Sequence, residues 1–184
     1  MVMLTVMAVI VAASVYGSML EWFVHKVVYH HWFAKAHAKH HAEYGRTRFQ
    51  QPGPYRSLQP WWVEPIVIGL HVPGCLVLGE RFGVVVGATA FLAIAAYAIA
   101  ASFLHAAIHR PNGRLLERTA WYRRHVARHL AHHRDPRVDF TVASQIADRL
   151  LGTFREGAGA GVSSPATGQV EPSATPGWSC GRSS

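Results

Sequence analysis

The chain's chemistry is concentrated in its histidines. HKVVYHHWFAKAHAKHH, residues 25–41, holds six of thirteen, and SFLHAAIHRPNGRLLERTAWYRRHVARHLAHH holds His105, His109, His125, His129, His132 and His133. Imidazoles gathered this densely repel one another when protonated. When neutral, each offers one nitrogen lone pair, whose commonest use is a metal ion. His105 and His109 are i, i+4 neighbours on one helix face, as are His129 and His133, with His125 and His132 in the same sector and Arg124 opposite. On an unbroken helix His30, His37 and His41 share a stripe. His25 falls off that stripe, so either a bend intervenes or it reaches a different metal. One ion takes about four to six donors, so ten to twelve histidines suit two ions. Carboxylates near the clusters are few: Glu21, Glu43, Glu117, Asp135 and Asp139. The Glu-x-x-His ligation of soluble di-iron bundles is absent, and so is the HExxH of zinc proteases. HxxHH occurs twice, at His37/His40/His41 and His129/His132/His133, a regularity that a loose histidine-rich tract lacks. His31, and His125 taken alone, read as surface or core residues. For His71, inside a short apolar run, a functional role and a structural hydrogen bond are equally open.

The elements that carry these residues are apolar and long. Met1 to Leu20 has no charge, and Phe82 to Leu104 is an uncharged run of 23 residues. Each can cross a hydrocarbon core about 30 Å thick at about 1.5 Å per residue. PIVIGLHVPGCLVLG, between Glu64 and Glu80, is shorter and contains Pro73, which predicts a short or kinked helix between the two long runs. Trp61 and Trp62 before it suit a membrane interface. GERFG, Gly79 to Gly83, reads as the turn back. No basic region precedes the first apolar run, which continues straight into the histidines. It therefore reads as an anchor rather than a cleaved leader.

The expected fold is all-α: an integral membrane domain of about three helical segments with a cytosolic histidine-rich helical cap, over residues 1–156. Residues 157–184, rich in Gly, Ser, Pro and Thr, read as a disordered tail. Six Lys/Arg lie between Trp22 and Pro60 and ten between Ala106 and Glu156, whereas the GERFG turn has only Arg81. With three crossings both histidine clusters then lie on one side, and the positive-inside rule makes that side cytoplasmic, the inner membrane in a bacterium. The formal charge of +8 is thus mostly a topology signal and implies no nucleic acid. Cys75 and Cys180 form neither a disulfide framework nor a CxxC metal pair.

HKVVYH, HAKHH, HAAIH and HLAHH, in that order, resemble the histidine boxes of the fatty acid hydroxylase superfamily, which includes sterol desaturases and sterol oxidases. The ending VDFTVASQIADRLLGTF is similar to that family's Asp-Arg-x-x-Gly-Thr segment, here Asp148, Arg149, Gly152 and Thr153, and Glu21 matches an acidic residue ahead of the first box. The similarity covers roughly Ser18 to Phe154. It implies a membrane oxygenase whose cap holds two iron ions, zinc being possible. Such an enzyme uses O2 to hydroxylate or desaturate a fatty acyl or sterol-like lipid. The ligands it implies are His25, His30, His37, His40, His41, His105, His109, His129, His132 and His133. Glu21, His125 and Asp148 are candidates for groups that orient ligands from behind. Many relatives have two membrane helices before the first box, and this chain has one.

Carotenoid hydroxylases share comparable boxes and remain an alternative, as does a lipid desaturase. So, from another class, does a non-catalytic membrane metal-binding or transport protein. With no haem domain, ferredoxin cysteines or nucleotide fingerprint in the chain, an oxygenase of this kind takes its electrons from a separate protein. The basic face suits an acidic donor.

Overall fold

A computed structural model describes residues 1–44, 50–51 and 62–156. Trp61 and the tail from Gly157 lie outside the described residues. Regular structure among the described residues is helical, with no strand. Helix α1 (Val2–Phe23) carries no charge before Glu21 and runs into a π-helical segment (Val24–Trp32), so that one 31-residue rod extends from Val2 to Trp32. Phe33, at φ −109° and ψ 29°, ends it, and α2 (Ala34–Ala42) starts afresh.

The short second crossing is interrupted. Helices α3 (Val63–Gly69) and α4 (Val72–Phe82) meet at Leu70 and His71. Pro73 sits in the first turn of α4, where its missing N–H leaves no helical bond unmade. His71 mends the break. Its Nδ1–H donates to the Val67 carbonyl at 2.7 Å, which leaves Nε2 to accept the Tyr16 hydroxyl of α1 at 2.8 Å. The ionisable group inside the span is thus a tie between helices.

Gly83, at φ +99°, reverses the chain into α5 (Val84–His109). Gly79, expected in the turn, instead lies within α4 against α5. A Cβ on Gly87 would collide with the Cys75 carbonyl oxygen and meet Gly79 Cα at 2.8 Å. On the other side, a Cβ on Gly17 of α1 would meet the Tyr97 ring at 2.6 Å. Small residues let the backbones approach, as helices packed in lipid require.

Burial is inverted relative to a water-soluble protein. Leu4, Leu76, Leu92 and Ile99 are exposed along the spans, whereas His109, His132, Asp148 and Ser18 are fully buried. In water such a surface would be unfavourable; hydrocarbon covers it without cost. Three helices, Val2–Trp32, Val63–Phe82 and Val84–His109, are long and apolar enough to cross a membrane.

Beyond α5 a 3-10 turn (Leu115–Arg118) leads to α6 (Ala120–Arg134), capped by Thr119, whose hydroxyl accepts the Tyr122 N–H at 3.1 Å. The Tyr122 hydroxyl donates to the Ala107 carbonyl at 2.8 Å. This pins α6 over the end of α5 through a small core of Leu104, Ala107, Ile108, Tyr122 and Val142. An irregular strap, residues 135–145, then crosses to α7 (Ile146–Leu150). The core and the histidines occupy the same end of the molecule.

Candidate metal centre

Nine imidazoles converge in two all-histidine groups. His25, His30, His37, His41 and His132 form one, and His40, His109, His129 and His133 the other. Within each group the candidate ligand atoms lie within 4.8 Å of one another. The groups adjoin, the His41 and His133 rings stacking with centroids 4.3 Å apart. The tenth expected ligand, His105, borders the second group, its ring 4.6 Å from His129 and 5.1 Å from His40.

Helix geometry sorts the ligands. Each HxxHH box gives its i, i+4 pair to one group and its third histidine to the other. His37 and His41 serve the first group and His40 the second, while His129 and His133 serve the second and His132 the first. Adjacent histidines point about 100° apart on a helix, so each HH pair straddles the boundary between the groups. His25 joins through the π-helical segment. Five residues of α-helix would set His25 and His30 about 140° apart. The wider turn, with its i→i+5 repeat, instead stacks their rings at 5.4 Å.

The ring nitrogens are arranged for an ion. His25 Nδ1–H donates to the Phe140 carbonyl at 2.5 Å and His132 Nδ1–H to the Val138 carbonyl at 2.8 Å, so each turns a bare Nε2 inward. His37 Nε2 faces His25 Nε2 at 3.1 Å and His41 Nε2 at 2.9 Å. His129 Nε2 likewise faces those of His109 at 2.9 Å and His133 at 3.2 Å. One N–H cannot serve two acceptors, but metal–nitrogen bonds of about 2.0–2.1 Å place neighbouring donors about 3 Å apart. The Nε2 atoms of His30, His40, His105 and His132 are buried with no hydrogen-bond partner among the described residues. Each such atom left unsatisfied costs about 1–3 kcal/mol. The residues therefore fit a pair of metal ions of the kind that imidazole binds, iron and zinc included.

Burial first, and the neighbouring imidazoles second, hold these rings neutral. His37 and His40 are pushed down to about 2 and His41 to about 4. For His132 burial alone leads, bringing it to about 3. His129 and His133 also lie well below the usual value. At neutral pH every one of them offers a lone pair.

The strap holds the outer carbonyls in place. Asp148 is buried; its carboxyl accepts the Phe140 N–H at 2.9 Å, the Thr141 N–H at 2.8 Å, the Thr153 hydroxyl at 2.6 Å, and the Thr141 hydroxyl. It thus fixes the residue whose carbonyl orients His25. Glu21 holds the other end, accepting the Val142 N–H at 2.7 Å, the Ala143 N–H at 3.2 Å and the Tyr97 hydroxyl at 2.8 Å. His125 is also buried but bonds through Nδ1 to the Trp121 carbonyl at 2.9 Å, away from both groups. His31 is exposed. Sequence reasoning passed over Tyr44, whose ring lies 4.3 Å from His109 while Arg110 donates to its hydroxyl at 3.0 Å. It also passed over the Val138 and Phe140 carbonyls. Backbone acceptors leave no residue-type signal.

Two openings reach the centre, on opposite faces of α2. On the span side a cavity of about 470 Å³ runs between α1, α3 and α5, with Val24, Val28, Ile66, Val67 and Ala98 in its walls and His25, His37, His40 and His105 at its head. On the other side a groove of about 490 Å³ is lined by His30, His41, His133, Arg134 and Pro136. A family model described as fatty acid hydroxylase matches residues 10–153. No curated protein and no solved structure matches the chain significantly.

Proposed function

The chain belongs to the fatty acid hydroxylase family, and on that premise we propose that it is a membrane oxygenase hydroxylating a lipid drawn sideways from the bilayer. The observation that carries the reading is the placement of two all-histidine groups at the head of an apolar cavity between spans. The overall reaction is R–H + O2 + two electrons + two protons → R–OH + H2O. When bound, a metal pair, iron in this reading, supplies the oxidising power that no side chain has.

The chain's own residues do the rest. The five-histidine group holds one ion, and the other group, with His105 beside it, holds the second. The strap carbonyls fix the ring tautomers of His25 and His132. The apolar walls align the chain of the substrate and exclude water. The groove beside Arg134 gives protons and electrons a separate route. In this reading an external redox protein delivers them. The exposed bases Lys35, Lys39 and Arg137 around that face suit an acidic donor. By the positive-inside rule this face is cytoplasmic. A metal carrier would need a polar path through the bilayer, whereas His71, the ionisable histidine midway along a span, is engaged in tying α1 to α3.

The test is elemental analysis of detergent-purified protein combined with oxygen uptake. About two irons per chain, with uptake that requires both a reductant and added lipid, are expected. Folded protein without stoichiometric metal would overturn the reading. Two zincs without uptake would retain the site and remove the oxygenase.

A further inference from the structure

The two strap carbonyls that orient ligands stand on either side of one residue. Val138 accepts from His132 and Phe140 from His25. Between them lies Asp139 at φ +50°, the one non-glycine in the left-handed region among the described residues. Both oriented histidines belong to the five-histidine group, their rings 4.4 Å apart. The peptides concerned are each held at both ends, since N–H and C=O of a trans peptide point in opposite directions. The Asp139 N–H donates to the Thr153 carbonyl at 2.9 Å, and the Val138 carbonyl of the same peptide faces His132. The Thr141 N–H donates to Asp148 at 2.8 Å, and the Phe140 carbonyl of that peptide faces His25. Rotation about the Asp139 backbone bonds therefore sets how the first peptide is turned relative to the chain that carries the second.

Aspartate enters the left-handed region more readily than most side chains, being short and able to bond the local backbone. Here its Oδ1 accepts the Arg155 N–H at 3.3 Å, tying the hinge to the chain beyond α7. Its Oδ2 is buried with no hydrogen-bond partner among the described residues, and no ion pair reaches it there. Conformation and Oδ1, not charge, are what the position uses. Resting on the metal pair of the oxygenase reading, though not on its reaction, we propose that Asp139 is a positioning residue for one ion of that pair. Its left-handed backbone aims the Val138 and Phe140 carbonyls at His132 and His25, and both carbonyls serve the five-histidine site. The two sites are thus unequal in build, and a change at Asp139 weakens one more than the other.

The test is zinc binding to the detergent-purified full chain, titrated against a chelator of known affinity. Asp139→Ala is placed in His109→Ala, which keeps the five-histidine ion, and in His41→Ala, which keeps the other. It is expected to weaken zinc by about 10- to 100-fold in the first background, the usual effect of losing an outer partner. In the second background zinc stays near its starting affinity. Asp139→Asn, which tolerates the left-handed backbone and keeps an acceptor oxygen, retains the affinity. Asp139→Gly takes that backbone freely but lacks Oδ1, and recovers part of it. Asp139→Ala in the otherwise wild-type chain should split the titration into one weakened and one unaltered ion, which decides the matter where a double variant does not fold. Equal weakening of both ions, or a loss in Asp139→Asn as large as in Asp139→Ala, would overturn the positioning role. Two zincs in the wild type with neither weakened in Asp139→Ala would remove that role and leave the metal pair standing. Folded wild-type protein that takes up no zinc and no iron would remove the metal pair itself.

Discussion

Each histidine here does a job set by which nitrogen it turns inward. The division of each HxxHH box between two groups makes the boxes separable. His109→Ala is expected to halve the metal content, because His109 serves only the second group, and His41→Ala to do the same through the first. Both variants should lose turnover. Elemental analysis of the two purified proteins checks this, and full metal in His109→Ala would remove it from the ligand set. The pH dependence follows from the same burial. In the unfolded chain a histidine titrates near 6.5, whereas His41 is held at about 4 and His40 at about 2 in the fold. As pH falls below 6.5 the unfolded chain takes up protons that the folded chain refuses, so stability is lost progressively with acidification. Each such histidine contributes a slope of at most about 1.4 kcal/mol per pH unit. Metal-free protein should therefore melt at steadily lower temperature from pH 6.5 to 4, and bound metal should oppose this until the ligands are protonated. A melting temperature indifferent to pH over that range would contradict the neutral, buried state of these rings.

At the scale of elements, the π-helical segment and the strap decide whether the ligands meet. The strap touches no candidate metal position with a side-chain donor, yet it supplies the carbonyls behind His25 and His132. Asp148→Asn keeps the shape of the clamp but replaces an acceptor oxygen with a donor facing backbone N–H groups. It should lower metal affinity by about 10- to 100-fold, the usual effect of losing an outer-shell partner. Asp148→Ala should also destabilise the protein by about 3 kcal/mol, since several buried donors lose their acceptor at once. Metal titration followed by chelator competition distinguishes the two variants. Wild-type affinity in Asp148→Asn would show that the strap is packing alone.

For the molecule as a whole, the inverted burial and the lopsided charge make one prediction about placement. Reporter fusions after Gly83 should report the outer compartment, and fusions after Phe154 the cytoplasm. Both cap segments then share a side because two crossings, a single hairpin, separate the first histidine cluster from the second. A cytoplasmic Gly83 turn would invert the molecule and place the histidines outside, away from cytosolic electron donors. The cavity opening between spans, with exposed apolar residues all round it, also fits a substrate that never leaves the bilayer.

The sequence by itself determined the spans, the four histidine boxes and their meeting at one end of a helical hairpin. Hydropathy and i, i+4 spacing are local properties, and local properties survive in one dimension. The uncharged run after Phe82 and the pair His105/His109 needed nothing else. Three things needed the tertiary structure. His25 looked misplaced because the reading assumed α-helical repeat, and a π-helical turn is set by packing rather than by composition. Gly79 looked like turn residue, but its neighbour Gly87 lies on another helix, eight positions on, at a distance only the packed hairpin defines. The role of Asp148 was visible as part of a terminal segment resembling the family's, but not as a clamp, because two of its partners are backbone amides and the ligand it steadies, His25, lies across the fold. Which imidazole goes to which ion is likewise a matter of how α2, α5 and α6 face one another, and no spacing along a single helix contains that.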